Sequence, residues 1–436
     1  MIAYTRRTFL LGLAAAGLIG LLIGGTAAPV QGQAPSSSGF AAVPGERGGL
    51  DITGPYEVVA NWPKPLSTLP GHQGWTWGSV QGVFAESPNR VYMVQRGELP
   101  DIRRPAARPV PEIGPSLSFP VGQAPFRNAS QGPASSPPGA GGPGADPDDP
   151  KQAWQGRMGI DARWEHTIVV FNEAGDVVES WTQWDKMMRR PHAVYVSPYD
   201  AQKHVWVVDD HGHAIYKFTN DGKQIVQTIG TPGQKGADAT HFNRPTFMTW
   251  LPDGSFYVAD GYNGNRVAKF DREGKFLWTS GEPGQPGGGE TRPGYFNTVH
   301  GIAADPVTRR VYVSDRSNRR IQVLDGDTGT PIDQWPVGRQ TNLQFLIIPP
   351  DRSGIWGFTD TTARIAKWDL NGRLLYSWGV LGDFPGAFFN MHGATTDQQG
   401  NLYVAEVGSG RVQKFRPRQG ANPAYLVGPP VYAAWR

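Results

Sequence analysis

From residue 80 onward, one arrangement of apolar and polar positions recurs along the chain. An apolar strand leads into a turn such as Asp221-Gly222, Asp253-Gly254 or Asn371-Gly372, and then into a second strand that ends in an acidic residue. Four or five polar residues follow, then a strand of the form Arg-Val/Ile-x-x-Phe, another turn, and a last strand ending near Trp or Gly. The clearest copies span 245–281, 299–336 and 391–428, with others starting at Pro191 and Gln344. A sixth opens at Val80-Gln81-Gly82-Val83, passes Tyr92-Met93-Val94-Gln95-Arg96 and resumes at Thr167-Ile168-Val169-Val170-Phe171. Period-two alternation broken by hairpin turns predicts four short β-strands in each unit. Four-stranded units recurring at about 45 residues are propeller blades. Six of them predict an all-β protein, a six-bladed β-propeller over 56–436.

Two stretches fall outside this pattern. Residues 98–165 are rich in Pro, Gly and Ala and interrupt the first unit. Such a composition buries too little apolar surface to order itself, and it reads as an excursion between the second and third strands of blade 1. Residues 1–35 carry Arg6-Arg7-Thr8-Phe9-Leu10, an apolar run to about Ile23, and small residues around Thr26-Ala27-Ala28. This is the layout of a signal peptide, and the arginine pair resembles the twin-arginine export motif. A Sec signal or an uncleaved anchor is the alternative. Residues 36–55 read as a linker, and Tyr56-Glu57-Val58-Val59 is a candidate for an added outer strand that closes the ring. The expected location is periplasmic or extracellular, reached through the twin-arginine export machinery, with no membrane span in the mature chain.

Composition narrows the chemistry. The chain has no cysteine, which excludes disulfides, thiolate metal sites and cysteine nucleophiles. A formal net charge of +3 gives no electrostatic reason to expect a nucleic acid. Three histidines occupy the same place in their repeats: His192, His300 and His392 each stand at the start of the first strand of a unit, in blades 2, 4 and 6. First strands line the channel of a propeller, and alternate blades of six are about 120° apart, so three imidazoles at one height converge on the axis. Three neutral imidazoles with an open position form a catalytic zinc set; iron, copper and nickel also accept imidazole. Among the other histidines, His204 reads as structural and His72 and His166 as lacking a metal-like context. His211 and His213 read as exposed loop residues, and His241 as a candidate support for the centre.

An acid recurs after the second strand of five units, at Asp209, Asp260, Asp315, Asp360 and Glu406, as expected of a structural turn acceptor. The side chains that vary around it are Arg96, Tyr262 and Arg316. A guanidinium can grip a carboxylate bidentately, and a phenol beside cations can serve as a base.

The repeat resembles the NHL repeat across about 80–430, and further motifs extend the likeness. Gln95-Arg96-Gly97, Pro191-His192, His241-Phe242 with Pro245-Thr246, Asp260-Gly261-Tyr262 with Asn265-Arg266, Val299-His300, Asp315-Arg316 with Asn318, and Met391-His392 resemble the lyase domain of peptidylglycine α-amidating enzymes. The resemblance implies zinc on His192, His300 and His392, a catalytic Tyr262, and substrate-holding Arg96 and Arg316. It implies cleavage of a peptidyl-α-hydroxyglycine into an amide and glyoxylate. The departures are Gly393, where that family has an aspartate helping to hold a structural calcium, and Asn263, where it has a cysteine. Met391 and Asn390 also differ from the family's residues, and the copper hydroxylase that makes the lyase's substrate has no counterpart in the sequence. A metal-dependent hydrolase on the same centre, or a non-catalytic propeller displaying loops to a partner, are the competing functions.

Overall fold

The computed structural model describes residues 52–112, 114, 117–119, 125, 127–129, 157–338 and 340–428. The signal peptide read over 1–35 and most of the linker lie outside them. Six four-stranded antiparallel sheets, all built from the predicted repeats, form the blades. Their inner strands are Trp75–Ser87, Pro191–Val196, Pro245–Trp250, Val299–Ala304, Leu343–Ile347 and Met391–Thr396. Among the described residues there is no α-helix, and no helix is long and apolar enough to cross a membrane.

Inner strands are buried on both faces, whereas outer strands such as Phe276–Ser280 alternate between half-buried and exposed. Aromatic side chains fill the wedges between blades: Trp206 of blade 2 packs on Trp250 and Phe256 of blade 3, at ring-centroid distances of 5.9 and 5.3 Å. The recurring acids act as the turn acceptors expected of them. Asp209 accepts from the backbone N–H of Arg189, Arg190 and Gly212. Asp260, Asp315 and Glu406 each take one N–H ahead of the inner strand and the Nε–H of the arginine that opens the third strand.

The ring closes through the amino-terminal segment. Tyr56–Val58 pairs antiparallel with Arg411–Pro417 and supplies the fourth strand of blade 6. The copy read at 391–428 therefore provides only three strands, and Pro423–Tyr425 forms a 3-10 turn. In blade 1 the first two strands are 13 and 11 residues long, against 5 or 6 in the other blades. The longer hairpin runs on to Pro100, and Glu98 bridges to Arg163 where the chain returns from the excursion. Elsewhere the described part of that excursion meets the propeller at scattered points: the Ala129 N–H donates to Gly408 O, Arg104 pairs with Asp383, and Trp164 Nε1–H donates to Asp185 O and Met188 O.

Candidate metal centre and its surroundings

Every inner strand carries a register irregularity, at its start in blades 2 to 6 and midway along the longer strand of blade 1. It falls between Val80 and Gly82, Pro191 and Ala193, Pro245 and Met248, Val299 and Ile302, Leu343 and Phe345, and Met391 and Gly393. A bulge leaves a residue unpaired and re-aims its side chain. Going round the ring, these irregularities take in Gln81, His192, Thr246, His300, Gln344 and His392. Histidine alternates with another polar residue, so the three imidazoles meet from every second blade. Their ring centroids are 5.2 Å (His192–His300), 4.6 Å (His192–His392) and 5.0 Å (His300–His392) apart. One ligating atom from each lies within 4.8 Å of the others.

The intervening blades orient these rings. His300 Nδ1–H donates to Gln344 O at 2.8 Å, and His392 Nδ1–H donates to Gln81 O at 2.6 Å. These bonds fix the tautomer and leave a lone pair on each Nε2, the usual arrangement of ligating imidazoles. His392 Nε2 and His192 Nδ1 are buried with no hydrogen-bond partner in the protein. Burial, then the neighbouring imidazoles and arginines, hold His192 and His300 well below the ordinary histidine range, and burial brings His392 down to about 3. The three rings are thus neutral, which is the ligating form. Phe247 packs 4.9, 5.0 and 5.2 Å from the three rings and sets an apolar surface against all of them. Orphaned buried nitrogens in a neutral all-imidazole set fit a borderline divalent metal.

Tyr262 reaches the same point. Its Oη is 3.1 Å from His192 Nε2 and 3.3 Å from His300 Nε2. Blade 3 places five residues between Asp260 and its pairing partner Arg266, where blade 4 places four between Asp315 and Arg320. Gly261 begins the longer turn, and a Cβ there would stand 1.4 Å from Val299 O. The turn can approach blade 4 only without a side chain.

Arg316 lies 5.3 Å from the Tyr262 ring and donates to Gln344 Oε1 at 3.2 Å. Arg96 is almost fully buried, donates Nε–H to Pro191 O at 3.3 Å, and its Nη2 has no hydrogen-bond partner. The structure therefore gathers Tyr262, Arg316 and the three histidines directly, with Arg96 beside His192's strand.

Sequence reading missed a charged cluster next to this group. Arg190 and Arg244, fully buried, stand just ahead of the inner strands of blades 2 and 3 and converge with Arg96 on Asp210. Arg244 donates to Asp210 Oδ2 at 3.1 Å, and Arg96 and Arg190 lie 3.7 and 3.8 Å from that carboxylate. Burial would raise the Asp210 carboxyl, but Arg190 and its other cationic neighbours hold it far below the carboxylate range. The Arg244 guanidinium also sits 4.5 Å from the Tyr262 ring centroid. His211 and His213, expected in an exposed loop, are instead buried: Arg190 donates to His211 Nε2 at 2.7 Å, and the Arg244 N–H donates to His213 Nδ1 at 3.2 Å. The reason is the need for buried acceptors: the His211 imidazole serves the Arg190 guanidinium, and the His213 imidazole serves a backbone N–H. His241 pairs with Asp238 and contacts none of the three axial rings. His204 pairs with Asp200 within its own turn. Gly393 packs on blade 1, where a Cβ would meet Gln81 O at 3.1 Å and Gly82 Cα at 3.3 Å, and it offers no carboxylate for calcium.

No protein-family model matches the chain. Relatives do. Mouse NHL repeat-containing protein 3 is 30% identical over 290 residues, covering 59% of this chain and 75% of that protein. Peptidyl-glycine alpha-amidating monooxygenase A of Xenopus laevis is 30% identical over 279 residues, covering 60% of this chain and 28% of that protein. Peptidyl-alpha-hydroxyglycine alpha-amidating lyase 1 of Drosophila melanogaster is 27% identical over 281 residues, covering 60% and 51%. A six-bladed ring of NHL-type blades, matched to three quarters of the mouse protein, places the chain in the NHL repeat-containing protein 3 family, with amidating-lyase propellers among its distant homologues.

Proposed function

We propose that the protein is an exported, zinc-dependent carbon–nitrogen lyase acting on a small N-acyl-α-hydroxyglycine or related carbinolamine, releasing an amide and glyoxylate. One observation carries the reading. A phenol hydroxyl stands 3.1 and 3.3 Å from two of three converging neutral imidazoles, with guanidiniums against its ring. The fly relative supports it by the lyase activity its name prints. The amino-terminal arginine pair supports export by the twin-arginine route to the periplasm or beyond.

His192, His300 and His392 would hold the metal, which when bound supplies Lewis-acid polarisation of the substrate oxygens. The chain's own groups do the rest. Arg96 and Arg316 pair with the substrate carboxylate, aided by the surplus positive charge around Asp210. Tyr262 Oη accepts the carbinol proton while passing its own proton to the departing amide nitrogen, as the C–O bond gains double-bond character and the C–N bond breaks. The electron pair of that bond goes to the nitrogen, so the products are a neutral amide and glyoxylate. Phe247 sets an apolar surface against the imidazoles.

The relative with the larger coverage is named only for its repeat, which favours a second reading as a non-catalytic propeller. A hydrolase on the same centre would cleave the acyl C–N bond with water, giving a carboxylic acid and an α-hydroxyglycine that itself collapses to glyoxylate and ammonia. Benzamide released together with glyoxylate from α-hydroxyhippurate separates the three, since a hydrolase gives benzoate and a non-catalytic propeller gives neither. Metal-dependent release that His300→Ala abolishes, together with the axial metal, is the expected result. Bound metal without glyoxylate from any N-acyl-α-hydroxyglycine would sink the lyase reading.

A further inference from the structure

His72 and His166, which show no metal-like context along the sequence, meet in space. His72 Nδ1 is 2.9 Å from Glu98 Oε2, and His166 Nδ1 is 2.7 Å from Glu98 Oε1. The two rings lie edge to face at 4.7 Å. Glu165 brings a second carboxylate, and one ligating atom from each of the four residues lies within 4.8 Å of the others. The four come from three segments: the turn ahead of Trp75, the long second strand of blade 1, and the return from the excursion, which carries both Glu165 and His166.

Two imidazoles donating to a buried carboxylate would account for the hydrogen bonds alone. Glu165, which is exposed, adds a second carboxylate beyond the one the two hydrogen bonds use. Glu98 is fully buried, and among the described residues no lysine or arginine pairs with it. The guanidinium of the adjacent Arg163 is engaged elsewhere, with Gly71 O and the Trp75 ring. His166 adopts the left-handed backbone, φ 56°, found just ahead of the third strand in other blades too, at His213, Asn265, Arg319 and Ala363. Asp185 Oδ2 accepts its N–H and Gln95 Nε2 donates to its carbonyl, which fixes the backbone at this point.

We propose that His72, Glu98 and His166, with Glu165, form a second metal site for a zinc-class divalent ion. It is separate from the axial histidines and clasps the returning chain to the long hairpin of blade 1. Two imidazoles and two carboxylates are a ligand set that zinc and iron accept. The site would also steady the strand that carries Arg96, two residues before Glu98.

The test is metal stoichiometry on the full mature chain, stripped, reloaded with Zn(II), desalted and read by inductively coupled plasma mass spectrometry. Wild type should hold two zinc ions, His72→Ala/His166→Ala one, and His192→Ala/His300→Ala one. Equal zinc in wild type and His72→Ala/His166→Ala overturns the clasp, as does wild type holding none. Zinc lost from the clasp variant but kept in the axial variant supports the clasp even if the axial site proves empty. Should the double variant fail to fold by circular dichroism, Glu98→Gln keeps the shape and must weaken Zn(II) binding at one site at least tenfold. Unchanged affinity there overturns the proposal as well.

Discussion

At position 262 a phenol meets two imidazole nitrogens on one side of its hydroxyl and two guanidiniums around its ring. A tyrosine kept only for packing would have no need of its Oη. Tyr262→Phe keeps the ring, the turn and all three histidines, so fold and axial metal should be unchanged. If Oη moves the carbinol proton, turnover should fall by ~10²-fold or more. Steady-state glyoxylate release alongside metal content checks this, and near-wild-type turnover would leave the mechanism without its base. Arg190 and Arg244 belong to the same scale. Each opens an inner strand like any other residue of the repeat, and only the buried Asp210 shows that their charge is directed toward the site.

Two local devices, the bulge in each inner strand and the longer turn of blade 3, bring these side chains together. Gly261 is where the second is most exposed to test, because a Cβ there would overlap Val299 O at 1.4 Å. Gly261→Ala must push the turn away from blade 4 and carry Tyr262 with it. The expected cost is roughly 2 kcal/mol or more of stability, with turnover falling further than the stability loss explains. Urea denaturation and kinetics on the same preparation separate the two effects. A variant with wild-type stability and rate would mean that the turn has slack the structure does not show.

A propeller is a ring, and its stability depends on closure. Here the closing strand is three residues, Tyr56–Val58, anchored by one fully buried side chain. Tyr56 packs 5.8 Å from Trp378, its hydroxyl accepts from the Val427 N–H at 2.8 Å, and its carbonyl accepts from Arg418. Tyr56→Ala should cost roughly 3 kcal/mol or more, as truncation of a buried aromatic does. Tyr56→Phe, which loses one hydrogen bond, should cost only about 1 kcal/mol. Denaturation midpoints of the two variants give the comparison, and equal midpoints would show that the ring is held elsewhere.

Repetition made the ring legible from sequence. Alternating apolar positions define strands, recurrence defines blades, and a position occupied by histidine in every second copy defines three rings at one height, because each repeat sets the same local geometry. Tyr262 stood out for a related reason, as a side chain that varies beside an acid the copies share, and its role came from the resemblance. What lacks a copy to compare with was decided by tertiary structure. The pairing of Tyr56 with Pro417 joins positions far apart in the chain. Asp210 and its arginines come from three blades, and their side chains are buried only once blades 1, 2 and 3 are side by side. His72, Glu98 and His166 meet only because the chain returns along blade 1. Sequence patterns report interactions that recur locally, whereas these depend on where distant segments are brought together, and the packed ring alone fixes that.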